Sequence, residues 1–187
     1  MKKTIAILFP GIGYTADKPL LYYAGKLAAQ KGYDEVIPLK FVFRGGNIRG
    51  NLRKMQEALE AVIQQSEETL SEIRWDEYDE ILFVSKSIGT IAAAAYAGKH
   101  GLSPKHIFYT PLRYTVDHRP KGGIAFIGTK DPWSDTEEIV RRCGENGIPV
   151  TVIPEANHSL ETGVCADDLR ILSDVMQKTE NWIRRPL

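Results

Sequence analysis

A serine between two small residues lies near the middle of the chain. An apolar run leads into the pentapeptide SKSIG at 85–89 and then into an alanine-rich stretch. A serine at a strand-to-helix corner, with small residues two before and two after it, is the nucleophile-elbow arrangement. Ser87 is flanked by Ser85 and Gly89 in this way, whereas a central Ser85 would have the bulky Phe83 in the first of these positions. We therefore predict Ser87 as a nucleophile, with a serine that merely caps a helix as the alternative.

An activated serine needs a base, and the base needs an acid to orient it. In folds that carry this kind of elbow they follow in the chain order Ser, Asp or Glu, His. Of the four histidines, only His158 follows the last predicted strand, at the edge where the serine is expected. Asp131 follows the penultimate strand and is predicted to hold the imidazole in its productive tautomer. Asp117 and Asp135 are competing acids, and the alternative for Asp131 is a residue that starts a turn with Pro132.

Backbone amides near the serine are candidates for stabilising a negatively charged intermediate. The amide of Ile88 lies at a predicted helix N-terminus, where free donors and the helix dipole favour negative charge. The glycine-rich loop after the first strand would supply a second donor, from either Ile12 or Gly11. We expect Tyr14 and Trp133 to line the substrate-binding site, with ordinary packing as the alternative.

The same first loop matches a different pattern. Gly11-x-Gly13-x-x-Ala16 fits the fingerprint of dinucleotide-binding loops that follow a strand. Such a loop needs a helix that begins within the glycines, and an acid at the end of the second strand. The residues before Pro19 indicate a later helix start, and the second strand leads into Lys40 with no acid. A dinucleotide-binding oxidoreductase is therefore the weaker alternative.

A basic, glycine-rich loop follows the second predicted strand. Residues 44–50 read RGGNIRG. The glycines make this loop flexible, and its arginines are of the type that binds carboxylates. Contact with a substrate carboxylate is one interpretation, and a solvated loop is the other.

Short apolar runs alternate with amphipathic stretches along the whole chain, which indicates an α/β protein. Strands are predicted over Thr4–Phe9, Glu35–Leu39, Glu80–Val84, His106–Tyr109, Ile124–Ile127 and Val150–Ile153. Helices are predicted over Pro19–Lys31, Asn51–Arg74, Ile88–Lys99, Thr136–Cys143 and Ala166–Ile183. We expect residues 1–187 to form a single domain, with a mostly parallel sheet of about six strands covered by helices on both faces. Ligands of such sheets bind beyond the carboxyl ends of the strands, where the candidate residues lie.

Composition restricts the classes of partner. The 187 residues carry 24 basic and 24 acidic side chains, so no net charge attracts nucleic acid or acidic membrane. Two cysteines without metal-ligand spacing predict neither a disulfide framework nor a metal site. The apolar run after Met1 breaks early, at Pro10, and predicts a strand rather than a signal peptide. We expect a cytoplasmic protein that needs no cofactor or metal and has no nucleic-acid or membrane partner.

Taken in order, these motifs resemble the α/β-hydrolase superfamily, especially its small bacterial members without a lid. The likeness covers nearly the whole chain and depends on the loop 10–13, the elbow 85–89, and the segments 128–132 and 157–160. The resemblance implies a catalytic triad of Ser87, Asp131 and His158, with an oxyanion hole of two backbone amides. It also implies hydrolysis of an ester or thioester through an acyl-enzyme, without a cofactor. A non-catalytic binding module on the same fold is the alternative.

Some positions depart from that family's usual pattern. Ser85 stands where a glycine is usual, and Pro10 stands where a histidine often precedes the first-loop glycine. Larger members insert a cap after the strand that corresponds to His106–Tyr109, but only residues 110–122 join that strand to the next. We therefore expect an open site that accepts small esters or an acyl group on a larger partner.

Overall fold

A parallel sheet forms the centre of the molecule. The computed structural model describes residues 2–46, 48 and 50–185, and within them the sheet has six strands. The strands are β1 (Thr4–Phe9), β2 (Glu35–Pro38), β3 (Glu80–Lys86), β4 (Lys105–Tyr109), β5 (Ile124–Gly128) and β6 (Val150–Ile153). Their order is β2-β1-β3-β4-β5-β6, and each neighbouring pair is parallel. All carboxyl ends therefore meet at one edge.

Helices cover both faces of this sheet. They are α1 (Pro19–Gln30), α2 (Leu52–Leu70), α3 (Ile88–Lys99), α4 (Thr136–Glu145) and α5 (Cys165–Ile183). Helices α1 and α5 pack together on one face, while α2 and α3 pack together on the other. Helix α4 packs against β5 and β6 and against a short 3-10 helix over Arg113–His118. This arrangement confirms the predicted fold class.

Strand β1 shows why the predicted strands are almost wholly apolar. Its alternate side chains enter two different clusters: Ala6 and Leu8 pack with α1 and α5, and Ile5, Ile7 and Phe9 pack with α2 and α3. All five are buried. A strand covered on both faces has no solvent side, so hydrophobic residues do not alternate with polar ones along it.

The largest error in the predicted boundaries is at the end of α2. The helical spacing predicted a helix as far as Arg74, but α2 ends at Leu70. The hydroxyl of Ser71 donates to the carbonyl of Glu68 at 2.8 Å, and the amide of Ile73 bonds back to Leu70 at 3.1 Å, so the chain leaves the helix in a turn. Ile73 packs into the core from this turn, at a position where a further turn of helix would also place a buried apolar residue.

The other elements match the predicted ones to within two residues. The difference that matters for the site is in β3, which was expected to end at Val84 and continues to Lys86. Lys86 pairs with Tyr109 of β4, so the chain stays extended until one residue before Ser87. Within the described ranges, no helix combines the length and apolar character needed to cross a bilayer.

Candidate active site

Ser87 occupies the corner between β3 and α3 in a strained conformation. Its φ is +56°, in a region that costs a non-glycine residue about 1–3 kcal/mol. The amide of Ser87 donates to the carbonyl of Tyr109 at 3.0 Å and fixes the corner to β4. Gly89 is required here, because a Cβ at this position would lie 2.3 Å from the carbonyl oxygen of Pro10. The local geometry is that of the predicted elbow.

The hydroxyl of Ser87 does not cap α3. Ser87 is the N-cap residue, but its side chain makes no capping hydrogen bond, whereas Asn51 and Asp135 do cap α2 and α4. The Oγ atom instead lies 2.8 Å from Nε2 of His158. Ser85 is fully buried and donates to the carbonyl of Ile107 at 3.1 Å, so its hydroxyl has a structural partner. The geometry therefore supports Ser87 over both alternatives.

A chain of hydrogen bonds connects the predicted acid, base and nucleophile. Nδ1 of His158 lies 2.7 Å and 2.9 Å from the two carboxylate oxygens of Asp131. A carboxylate only accepts, so Nδ1 carries the proton and Nε2 accepts from the Ser87 hydroxyl. Nucleophile, base and acid are all within the distances expected of a catalytic triad.

Asp131 is held rigidly in the loop after β5. Its side chain is fully buried, and its Oδ1 also accepts from the amide of Trp133 at 2.9 Å. At the start of this loop, a Cβ on Gly128 would lie 2.0 Å from the carbonyl oxygen of Ala156, so the loops after β5 and β6 are in close contact. This contact brings the acid next to the loop that carries His158.

The competing acids have other partners. Asp117 forms an ion pair with Arg142 of α4. Asp135 accepts from the amide of Glu138 at 2.8 Å and caps α4. Neither of these hydrogen bonds involves His158, which leaves Asp131 as the acid that the structure brings to the imidazole.

Burial lowers the pKa of His158 below its ordinary value, and the charge of Lys86 acts in the same direction. The hydrogen bond and the negative charge of Asp131 oppose this shift. Because the neutral imidazole is favoured, His158 stays unprotonated, and so able to act as a base, at a lower pH than an exposed histidine would.

One of the two candidate first-loop amides is already in use. The amide of Gly11 donates to the carbonyl of Tyr14 at 3.1 Å, so Gly11 is not available as an oxyanion donor. The amides of Ile12 and Ile88 form no hydrogen bond within the described part of the chain. Both residues line the same cavity as Ser87. This hydrogen bond favours Ile12 over Gly11 as the candidate donor of the first loop.

A cavity of about 310 Å³ opens beside the serine. Tyr14 and Trp133 line it, as expected, and the rings of Trp133 and His158 are 5.7 Å apart. The basic loop after β2 also reaches the cavity, through Gly46 and Ile48. Positions 47 and 49 of this loop, an asparagine and an arginine, lie outside the described residues.

Two lysines of this cavity were missed by the sequence analysis. Lys86, one residue before the nucleophile, and Lys18, just before α1, both line it. Lys86 is 1% exposed, and burial lowers its pKa to about 7, with Asp131 and Glu161 opposing and Lys18 adding to the shift. The available signal was a lysine between a central apolar run and the predicted nucleophile, because a lysine there is buried if the strand continues, and Lys is almost never buried without a reason.

The first loop lacks the geometry of a dinucleotide site. Helix α1 begins at Pro19, so Gly11 and Gly13 lie well before its first turn. A pyrophosphate on these glycines would not meet a helix N-terminus, which the dinucleotide fingerprint requires. Gly11 instead serves the elbow, since a Cβ at this position would lie 3.2 Å from the Cβ of Ser87.

The fold is that of an α/β hydrolase without a cap, and solved structures share it. One is a serine hydrolase without a lid from Xanthomonas campestris, with a TM-score of 0.63 and 15% identity over 99% of this chain and 83% of that one. Another is the esterase Est1E of Butyrivibrio proteoclasticus, with a TM-score of 0.65 and 10% identity over 98% and 90%. An esterase from Pyrococcus furiosus has a TM-score of 0.61 and 11% identity over 97% and 84%. At these identities the likeness establishes the fold. No protein-family model matches the chain, and no curated protein sequence does.

Proposed function

We propose that this protein is a serine hydrolase that cleaves a carboxylic ester or thioester through an acyl-enzyme. The observation that carries the proposal is the chain of hydrogen bonds from Asp131 through His158 to the strained Ser87. A serine hydroxyl is a weak nucleophile until an adjacent base takes its proton. Here the base already lies 2.8 Å from the hydroxyl oxygen.

The reaction begins when Ser87 attacks the substrate carbonyl and Nε2 of His158 accepts its proton. The amides of Ile12 and Ile88 bind the oxyanion of the tetrahedral intermediate. The protonated His158 then donates to the leaving alcohol or thiol, and the acyl-enzyme remains. Water attacks this ester with His158 again as base, and Ser87 is released. Asp131 holds the proton on Nδ1 and stabilises the imidazolium throughout.

The open cavity favours a small or exposed ester. Residues 110–122, between β4 and β5, contain only a short 3-10 helix and no cap. Two of the structural neighbours are esterases, and Est1E has been solved with ferulic acid bound. These neighbours support ester hydrolysis for this chain, with a thioester as the variant that uses the same mechanism.

The test is covalent labelling of the purified protein with a fluorophosphonate probe. We expect wild type and Ser85→Ala to be labelled, and Ser87→Ala to remain unlabelled. Ser85→Ala is the matched control because it removes a hydroxyl two positions away on the same strand end. Wild type and Ser85→Ala should likewise hydrolyse 4-nitrophenyl esters, and Ser87→Ala should not.

Absence of labelling in a folded wild type would overturn the proposal. Circular dichroism and thermal unfolding establish that each variant is folded. An unlabelled but folded wild type would favour a non-catalytic binding module on the hydrolase fold. Labelling that survives in Ser87→Ala would place the nucleophile elsewhere.

A further inference from the structure

Two lysine side chains line the candidate active-site cavity, and the ammonium nitrogen of each lies close to the ring of the same tyrosine. Nζ of Lys86 lies 5.0 Å from the centre of the Tyr14 ring, and Nζ of Lys18 lies 5.5 Å from the same centre. All three residues line the cavity together with Ser87. Tyr14 itself stays neutral, because burial raises its pKa to about 12.

The buried ammonium of Lys86 has no anionic partner. Across residues 2–46, 48 and 50–185, Lys86 makes no side-chain hydrogen bond and no ion pair, although it is 1% exposed. A buried charge without a partner is costly, and proteins usually pair it or let it bind something. Contact with an aromatic ring compensates only part of this cost.

Carboxylates of the protein do not fill this role. No Asp or Glu is among the described residues that line the cavity. Asp131 lies behind His158, and its oxygens are bonded to the imidazole and to the amide of Trp133. Glu161 influences the pKa of Lys86 through its charge but forms no ion pair with it. Among the described residues, Lys18 and Lys86 line the cavity without a carboxylate beside them, and the charges of Asp131 and Glu161 act on Lys86 only from outside its lining.

From this arrangement we propose that the substrate is an anionic ester, whose carboxylate or similar oxyanion binds between Lys86 and Lys18 while its carbonyl meets Ser87. The inference rests on the proposed serine hydrolase function and specifies its substrate class. Lys86 supplies a charge at the inner wall of the cavity, and the exposed Lys18 supplies one nearer to solvent. A bound anion favours the ammonium form of Lys86, so its pKa rises when the site is occupied.

The first experiment compares two esters that differ only in charge. The substrates are the 4-nitrophenyl esters of adipic acid with the far carboxyl group free or methylated. For wild type at about pH 7, we expect kcat/KM to be about tenfold higher for the free acid, as a charge-assisted hydrogen bond would give. The ratio of the two kcat/KM values is the readout, since a general effect on catalysis cancels from it.

Variants of both lysines test whether these side chains cause the preference for the charged ester. Lys86→Met and Lys18→Met should each bring the ratio towards one. Lys18 is exposed, so its replacement tests the proposal even if Lys86→Met fails to fold. Lys26→Met is the matched control: its ammonium also lies 5.5 Å from a tyrosine ring, that of Tyr22, but outside the cavity. The ratio for this control should equal that of wild type.

Binding without turnover separates failure of this inference from failure of the proposed function. Calorimetry with Ser87→Ala should detect binding of monomethyl adipate and much weaker binding of dimethyl adipate. Equal hydrolysis of the two nitrophenyl esters, or a ratio that the Lys18 variant leaves unchanged, would overturn the anionic substrate while leaving a serine hydrolase. Anion binding without labelling or hydrolysis would keep the anion site and overturn the hydrolase. Equal binding of the two adipates would overturn the anion site whatever the catalytic result.

Discussion

His158 joins partners from distant parts of the chain. It bonds to Asp131, 27 positions earlier, and to Ser87, 71 positions earlier. Each of the three residues directly follows or closely follows the carboxyl end of a strand. Their meeting is a consequence of the parallel sheet, which places all these ends at one edge. The chain of hydrogen bonds therefore depends on side-chain atoms whose positions are set by three separate loops.

The role of Asp131 can be tested by removing its charge and keeping its size. Asp131→Asn should lower kcat by about 10⁴-fold, because the amide stabilises the wrong imidazole tautomer. Ester hydrolysis and thermal unfolding would be measured together. Asp117→Asn is the control, since Asp117 pairs with Arg142 at the surface and should leave kcat within about twofold. A small effect of Asp131→Asn would contradict the assignment of the acid.

The pH dependence of kcat/KM tests the base. The pKa of His158 is lowered, chiefly by burial, so the acid limb should have its inflection below the ordinary value of about 6.5. The value of kcat/KM should be highest above this inflection and should fall below it, where His158 is protonated. Lys86→Met should raise the inflection, because the lysine charge is one cause of the lowering. An inflection above that of an exposed histidine would show that the imidazolium is favoured instead.

The meeting of Ser87, Asp131 and His158 could be predicted from the sequence because these residues follow strands in a fixed order. The two lysines were not predicted: Lys86 lies beyond the predicted end of its strand at Val84, and Lys18 is an exposed residue before α1 that no strand or helix pattern marks. The oxyanion donor was left open between Gly11 and Ile12 for a similar reason. The choice depends on a loop hydrogen bond from Gly11 to Tyr14, and loop hydrogen bonds have no sequence pattern that specifies them.

At the scale of elements, the elbow depends on the close approach of α3 to the end of β1. A Cβ on Gly89 would meet the carbonyl oxygens of Pro10 and Phe9 at 2.3 Å and 2.5 Å, and backbone atoms cannot move aside easily. Gly89→Ala should therefore lower the free energy of unfolding by about 2–3 kcal/mol. Activity should fall as well, because Ser87 and Ile88 move with the start of the helix.

Gly98→Ala is the control on the same helix. Its Cβ would have His118 O at 3.8 Å as its nearest neighbour, an ordinary contact. Alanine is favoured over glycine in a helix, so this variant should be more stable by about 0.5 kcal/mol. Urea unfolding of both variants gives the comparison. Equal effects of the two substitutions would show that the approach of α3 to β1 is not what requires glycine at 89.

Element types were easier to predict than element ends. The central strands such as β1 were recognised because burial on both faces makes them continuous apolar runs. The end of α2 was misplaced because Ile73 packs into the core from a turn, and periodicity alone does not distinguish that turn from helix. The extra length of β3 was missed because Ser85 and Lys86 are polar, although both are buried at the end of the strand.

At the scale of the whole molecule, a buried histidine couples folding to pH. His106 lies in the central part of the sheet, on β4, is fully buried, and stacks on Phe108 with ring centres 4.8 Å apart. Neither of its ring nitrogens has a hydrogen-bond partner within the described chain. Burial lowers the pKa of His106 to about 3. The folded protein therefore leaves this imidazole neutral where the unfolded chain protonates it.

This difference determines the sign of the effect on stability. Above the unfolded pKa of about 6.5, His106 is neutral in both states and adds no pH dependence. As the pH falls from there towards about 3, only the unfolded state binds the proton, so stability is lost. The slope contributed by this one group is about 1.4 kcal/mol for each pH unit.

Replacing His106 should remove this slope. His106→Phe keeps the stacking on Phe108, and His106→Leu keeps only apolar volume, but neither side chain titrates. Urea unfolding at about pH 7.5 and about pH 5.5 should show that wild type loses about 1.4 kcal/mol more than either variant over this interval. Burial also lowers the pKa values of His118 and His158, but these groups are common to all three proteins and cancel from the difference. If wild type and both variants lose the same stability, His106 must gain a proton acceptor in the folded state that the described structure does not provide.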